Sequence, residues 1–391
     1  MSRTIGSKPR IRMGKLAGSA VAVLILGLGL AAEVSADSWF DKVKVKGDLR
    51  YRHEMIDKDD SDARHRHRLR ARLGVFGQVN DFTKVGVQMA TGSDDPVSTN
   101  QTLDNAFSTK DLRLDLAYFA MTHDRLPGLT LTGGKFKNPF YKPGKSELIW
   151  DSDWNPEGGV LNFSRSMDKV SITLIGAGLW IDERSSGDDS WLGGLEGVLR
   201  YDLDDATTFA VGGSYYNYTN GKGFAPFFDG SPMGNSIIHD TTFVPNTNPP
   251  EIDHIDVSYA EDYELVEAFV EATHRFNSIP VTAMFDYVTN TAVDSLGDGW
   301  LVGLRVGKTK KPGSWSLRYI YREVEKDAVV GTFTDSDFRG GGTDAKGHEI
   351  GGSLQVADNA AFNVTYFANK IGLQSNEEDF GRLQVDLQLE F

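Results

Sequence analysis

The last twelve residues, FGRLQVDLQLEF at positions 380–391, set the reading of the whole chain. Leu383, Val385, Leu387, Leu389 and Phe391 alternate with Arg382, Gln384, Asp386, Gln388 and Glu390. Successive side chains of an extended segment point to opposite faces, so one face here is wholly apolar and the other wholly polar. A helical turn would scatter the same residues around its circumference. The segment is therefore a strand with one face in apolar surroundings and one in water.

The same period of two returns along the chain. Val43, Val45, Leu49 and Tyr51 alternate with Lys44, Lys46, Asp48, Arg50 and Arg52, and Leu69, Ala71, Leu73 and Val75 alternate with Arg68, Arg70, Arg72 and Gly74. Leu112, Leu114, Leu116 and Tyr118 stand against Arg113 and Asp115, and Trp315, Leu317, Tyr319 and Tyr321 against Ser316, Arg318 and Arg322. Such segments lie near 42–53, 64–78, 83–93, 110–122, 129–137, 158–166, 169–182, 191–202, 207–219, 263–275, 281–290, 298–308, 313–326, 347–357, 361–371 and 380–391, about sixteen strands. No stretch beyond residue 40 sustains a helical period.

The connections alternate in length. Short ones fall at Asn80-Asp81, 125–128, Asp204-Asp205, 277–280, Lys311-Pro312 and Asp358-Asn359; long ones at 54–63, 94–109, 138–157, 220–262 and 327–346. Tight turns at one end and long loops at the other are the pattern of a transmembrane β-barrel, which must close because lipid cannot satisfy an open edge. The fold expected is all-β: an antiparallel up-and-down barrel of about sixteen strands occupying 37–391. Tyr51, Tyr118, Trp180, Tyr201, Tyr287, Trp300, Trp315, Tyr321 and Tyr366 sit where interfacial aromatic girdles belong. A soluble β-sandwich or β-helix also alternates, but gives no reason for loops of one-sided length.

The first residues read as an address. Arg3, Lys8, Arg10, Arg12 and Lys15 precede an apolar run, Leu16 to Ala32, that ends at Val34-Ser35-Ala36. This is the layout of a cleaved Sec-type signal peptide over 1–36, the run being short for a spanning helix of about 20 residues. The expected location is thus integral to a bacterial outer membrane. The full chain carries 41 Lys and Arg against 55 Asp and Glu, net −14. Without a leader holding five cations and one acid the balance is 36 against 54, or −18. An exported chain this acidic is no nucleic-acid binder, and zero cysteines exclude disulfides and thiol chemistry.

Arg66, Arg68, Arg70 and Arg72 occupy alternate positions of one strand, so four guanidinium groups share a face. That face is costly against lipid and natural against a watery lumen. Arg50, Arg52, Arg113, Lys135 and Lys137 are expected to widen it into a pore-lining, solute-steering wall. A second reading has these cations paired with Asp48, Asp115 and Glu54, stiffening the wall. Inward acids come later, at Glu196, Glu267, Glu271, Asp286, Glu349 and Asp386, and the 138–157 loop adds Glu147, Asp151, Asp153 and Glu157. Opposed basic and acidic walls put a transverse field across a pore and favour polar solutes over apolar ones.

Gly134-Lys135-Phe136-Lys137-Asn138-Pro139-Phe140, followed by Trp150-Asp151-Ser152-Asp153-Trp154-Asn155-Pro156-Glu157-Gly158-Gly159, resembles a family of outer-membrane porins of Gram-negative bacteria, similar in outline to the phosphate-selective porins. The resemblance implies a barrel of about sixteen strands, often a homotrimer, whose third outer loop folds inward as a constriction. Here that loop is 138–157. Terminal Phe391 looks like the signal read by the barrel-assembly machinery. The function implied is a passive diffusion channel for small hydrophilic or charged solutes, with ion transport through the lumen. Outer-membrane lipid and lipopolysaccharide are its expected surroundings.

Other constellations are weaker. His65 and His67 share a strand face but lack a third ligand, and Asp57, Asp59, Asp60 and Asp62, or Asp335 and Asp337, read as solvated loop acids that could bridge lipopolysaccharide through divalent cations. No metal site and no cofactor are expected. An enzyme built on a barrel needs a nucleophile, base and orienting group, and no local signature of one is present. An adhesion or structural barrel that binds a partner through the long 220–262 loop is the alternative function.

Overall fold

The computed structural model describes residues 42–59, 61–243 and 252–391; the expected signal peptide, Asp60 and residues 244–251 of the expected 220–262 loop lie outside them. Nineteen strands occur, in chain order β1 (Val43–Lys58), β2 (Arg64–Asn80), β3 (Thr83–Thr91), β4 (Gln101–Thr102), β5 (Leu112–Thr122), β6 (Leu129–Lys135), β7 (Glu157–Met167), β8 (Val170–Asp182), β9 (Ser190–Asp202), β10 (Thr207–Tyr218), β11 (Ile237–Phe243), β12 (Ile252–Tyr259), β13 (Glu264–Phe276), β14 (Ile279–Asn290), β15 (Asp298–Gly307), β16 (Trp315–Val324), β17 (Ala345–Ala357), β18 (Ala360–Ile371) and β19 (Glu378–Glu390). Two-residue β4 only caps β2, and β11 and β12 form a separate hairpin. The other sixteen make one closed antiparallel barrel.

Closure is made by the segment that opened the sequence reading. β19 pairs with β1 from Asp48↔Glu390 to Lys58↔Phe380. One rung further, Gly47 N donates to Phe391 O at 2.9 Å and Phe391 N to Gly47 O at 3.0 Å. No strand edge is left for lipid to face.

Connections at one end are short, two residues between β7 and β8, β13 and β14, or β17 and β18. At the other end they reach 45 residues between β10 and β13, a stretch that includes the β11–β12 hairpin. The outer wall is apolar and open, with Leu195 62% and Val45 60% exposed, whereas the inward Asp286, Glu349 and Arg322 are nearly fully covered. A water-soluble sandwich would hide the first set; a lipid-facing barrel displays it.

In mid-strand, β5 departs from simple alternation. Between Gln88/Met89 of β3 and Leu114/Leu116 of β5 the register slips by one residue, leaving Asp115 as the extra residue of a β-bulge. The slip exchanges faces, so Leu112 and Leu114 point outward while Leu116 is buried and Tyr118 packs on the interior cluster instead of joining a girdle. Asp115 turns into the lumen and accepts bonds from Gln88 and Asn155, both at 2.6 Å.

Three long connections fold into the barrel. Phe140, Trp150 and Trp154 from residues 136–156 pack with Tyr216 and Tyr218 of β10 and with Phe333 from residues 325–344; Phe227 of the β10–β11 connection stacks on the same group. Trp150 and Trp154 stack at 4.2 Å, and Tyr216 meets Trp150 edge-on at 5.1 Å. The inward course of 325–344 corrects the expectation of a merely outer loop: Ala328, Val329 and Val330 are buried among these rings. Gly342, at φ 99°, lets that loop touch the β10–β11 connection, since a Cβ there would stand 1.9 Å from the carbonyl oxygen of Met233.

Candidate functional site

The 136–156 loop leaves the wall between β6 and β7 and crosses the lumen. Its base is tied by Phe136 N to Pro156 O at 3.0 Å, and an Asn138 side chain turns the chain by accepting from Phe140 N at 2.9 Å. Across the barrel, Tyr141 N reaches both carboxylate oxygens of Glu196 at 3.0 Å, and Tyr141 Oη and Gly144 N donate to Glu271 at 3.0 and 2.6 Å. Arg305 of β15 donates to the Gly144 carbonyl. Gly144, at φ 56°, lies so close to β14 that a Cβ would fall 1.8 Å from Met284 Sδ. Two inward acids expected from sequence, Glu196 and Glu271, thus serve as moorings for the loop tip.

The returning limb carries acids toward the arginines. Asp151 N donates to Phe333 O at 2.8 Å, and Asp151 Oδ2 accepts from Ser336 N at 2.8 Å, so the two inward loops are joined. Asp153 lies 3.6 Å from Arg70 and 3.5 Å from Arg72, and takes a bond from Thr99 Oγ1 at 2.9 Å. Arg70 and Arg72 both pair with Asp48. Arg66 and Arg68 pair with Glu54, and Arg52 with Asp386 at 2.7 Å and Asp337 at 3.2 Å. Arg50 donates to Asn100 at 2.6 Å and makes no ion pair among the described residues.

Between ladder and loops remains a polar cavity of 250 Å³. It is lined by Arg50, Arg52, Arg70, Arg318 and Arg322 against Glu147, Asp151, Asp153, Asp335, Asp337 and Glu349. Glu147, Asp151 and Asp335 bring carboxylate oxygens within 4.8 Å of one another. Burial and the neighbouring Asp335 charge raise the Glu147 carboxyl to about 7. Burial, then Glu147, lifts Asp151 well above the usual range. Asp153 is buried too, yet Arg70, Arg50 and Arg72 outweigh that and hold it at about 2. Burial also works against ionisation of Asp337, and Arg52 and Arg382 overcome it, keeping the residue low. One rim of the cavity is therefore permanently charged on both sides, and another carries Glu147, which exchanges its proton near neutrality, beside Asp151, whose carboxyl is also raised.

Three residues expected at the pore are elsewhere. Lys135 shares the parity of outward Leu129 and Leu131, and pairs at 3.0 Å with Glu157, which opens β7 rather than belonging to the loop. Arg113 sits at the long-loop rim, half exposed, paired with Asp111 at 3.2 Å. Lys137 stays in the inward loop, with Arg72, Asp115 and Asp153 among its charged neighbours. Sequence reasoning put Asp335 and Asp337 on an outer loop. Their signal was present in the apolar residues Val329, Val330 and Phe333 just before them, which a solvated loop has no use for. His65 and His67 gain a neighbour in His53 of β1, ring centroids 5.6 and 4.9 Å away.

The sequence matches a family described as "Putative porin" over residues 55–226 and 233–391. The chain belongs to that family. No curated relative matches the sequence of this porin. Among solved structures, OmpF of Salmonella typhi, determined with daunomycin, is 12% identical with a TM-score of 0.54, covering 92% of this chain and 100% of its own. OprB of Pseudomonas putida is 10% identical with a TM-score of 0.56, covering 90% and 95%. At such identity the likeness is one of fold. Family and fold together make the molecule an outer-membrane porin, a channel protein and not an enzyme.

Proposed function

We propose that this porin is a passive diffusion channel for small hydrophilic solutes whose aperture is the polar cavity between the arginine ladder and the two inward loops. The observation that carries the reading is the mooring of the 136–156 loop to Glu196 and Glu271 on the far wall, which fills that side with aromatic rings and leaves the charged side open. Solutes would pass between fixed guanidinium groups and fixed carboxylates, a field that orders water and disfavours apolar molecules. The long-loop end faces the exterior and the short turns the periplasm, as in other barrels of this kind. Purified protein in a planar bilayer should give stepwise conductance; folded protein without steps refutes the reading.

Glu147 sets a pH dependence. Its carboxyl is neutral below about 7 and charged above, so acidification from pH 8 to pH 6 removes one negative charge from the aperture. The cation-to-anion permeability ratio should fall across that window, and Glu147→Gln should hold it at the low-pH value throughout. Reversal potentials measured at stepped pH check both expectations.

A further inference from the structure

The ladder that dominates the sequence is electrically spent. Arg66, Arg68, Arg70, Arg72 and Arg52 each have a carboxylate partner, so their net field in the lumen is small. Unspent positive charge collects at the opposite end, where a cavity of 980 Å³ opens between the short-turn ends of β13 to β18 and the tip of the inward loop. Lys145, Arg275, Arg305, Lys308, Lys310 and Arg318 line it.

Of these six, Arg318 alone makes an ion pair among the described residues, with Glu349. Arg305 is held by the Gly144 carbonyl and Arg275 by the Asp205 carbonyl at 3.3 Å, bonds that aim a guanidinium without neutralising it. Asp386 is the acid in the lining, and Glu271 and Glu349 stand near Arg305; each has other partners. Asp386 is bidentate to Arg52, Glu271 accepts from Tyr141 and Gly144, and Glu349 lies between Arg318 and Arg322. Ser316, Asn363 and Thr365 add neutral hydrogen-bonding groups on the same lining.

Uncompensated cations in a cleft with low-dielectric walls concentrate anions, and a guanidinium fork matches two oxygens of one oxyanion. From this we infer that the short-turn vestibule is a binding site for small polyvalent oxyanions, phosphates or di- and tricarboxylates. The porin then draws anionic solutes through an aperture that is itself nearly balanced. The inference rests on the diffusion-channel reading above and names the solute class the channel favours.

The test uses full-length protein in planar bilayers carrying a chloride current. Inorganic phosphate, succinate or uncharged glucose is added to either side in turn. Phosphate or succinate should reduce the current, more strongly from the short-turn side, and glucose should not. The oxyanion with the lower half-blocking concentration identifies phosphate or carboxylate chemistry. In Arg305→Gln/Lys308→Gln/Lys310→Gln that concentration should rise on the order of tenfold, in line with electrostatic focusing by a few charges. Should the triple variant misfold, Lys308→Gln/Lys310→Gln in the turn should still raise it severalfold. Steps that persist with no oxyanion block, or a block unchanged in the variants, overturn the site and leave the channel standing. An absence of steps overturns the channel itself.

Discussion

Replacing residues 139–154 by a short Gly-Ser linker should raise single-channel conductance roughly threefold, because a sixteen-stranded barrel without an inward loop encloses an open aqueous channel. The deleted segment supplies Phe140, Trp150 and Trp154 to the interior cluster and Asp151 and Asp153 to the aperture. Its removal also frees Glu196 and Glu271 from Tyr141 and Gly144, adding negative charge to a wider lumen. The 325–344 loop loses its partner at Asp151 and should fluctuate, so the current should be noisier as well as larger. The segment holds the barrel wall through these moorings and through Asp153 on Arg70 and Arg72, so the shortened barrel should be less stable, while closure between β1 and β19 is untouched. A heat-modifiable band in electrophoresis establishes that the shortened barrel has folded. A conductance equal to that of the intact protein means the loop does not limit the current.

Asp153→Asn should cost the fold about 2–3 kcal/mol at pH 7, the worth of a carboxyl held at about 2 in the folded state against its ordinary value. The substitution keeps the shape and removes the charge that holds Arg70 and Arg72, at 3.6 and 3.5 Å, near Arg50. Asp48 alone then answers two guanidinium groups. The folded carboxyl is held at about 2, below its unfolded value, so the stability it contributes is present at neutral pH and fades as pH falls toward 2. The thermal midpoint in detergent should accordingly drop at pH 7 and differ little from the parent at pH 2. In bilayers the reversal potential should move toward anions. A midpoint at pH 7 equal to the parent's shows that loop and ladder are not coupled through this residue.

Much of the barrel was readable because a lipid-facing wall imposes period two on every strand, as Leu383 to Phe391 display. The Asp115 bulge was not, since a one-residue slip exists only relative to the partner strand β3. Spacing alone put the four arginines of the ladder on one face; of the partners read for the wall, Asp48 and Glu54 pair with it, whereas Asp115 accepts from Gln88 and Asn155. What spacing could not supply was the path of the two inward loops, which brings Asp153 and Asp337 to that face from far along the chain. Glu147 and Glu157 looked alike as loop acids. One lies in the aperture and the other begins a strand, a distinction fixed by where β6 and β7 cease pairing.

The seam between β1 and β19 has a consequence for the order of assembly. Arg52 meets Asp386, and Arg382 lies 3.9 Å from Glu54, only once the last strand has docked on the first. With every other strand in place both pairs are still missing, and Arg52 then has Asp337 as its remaining carboxylate partner. Pairing of the two terminal strands thus does two things at once: the rungs that leave no edge for lipid also complete the ion pairs beside the charged cavity.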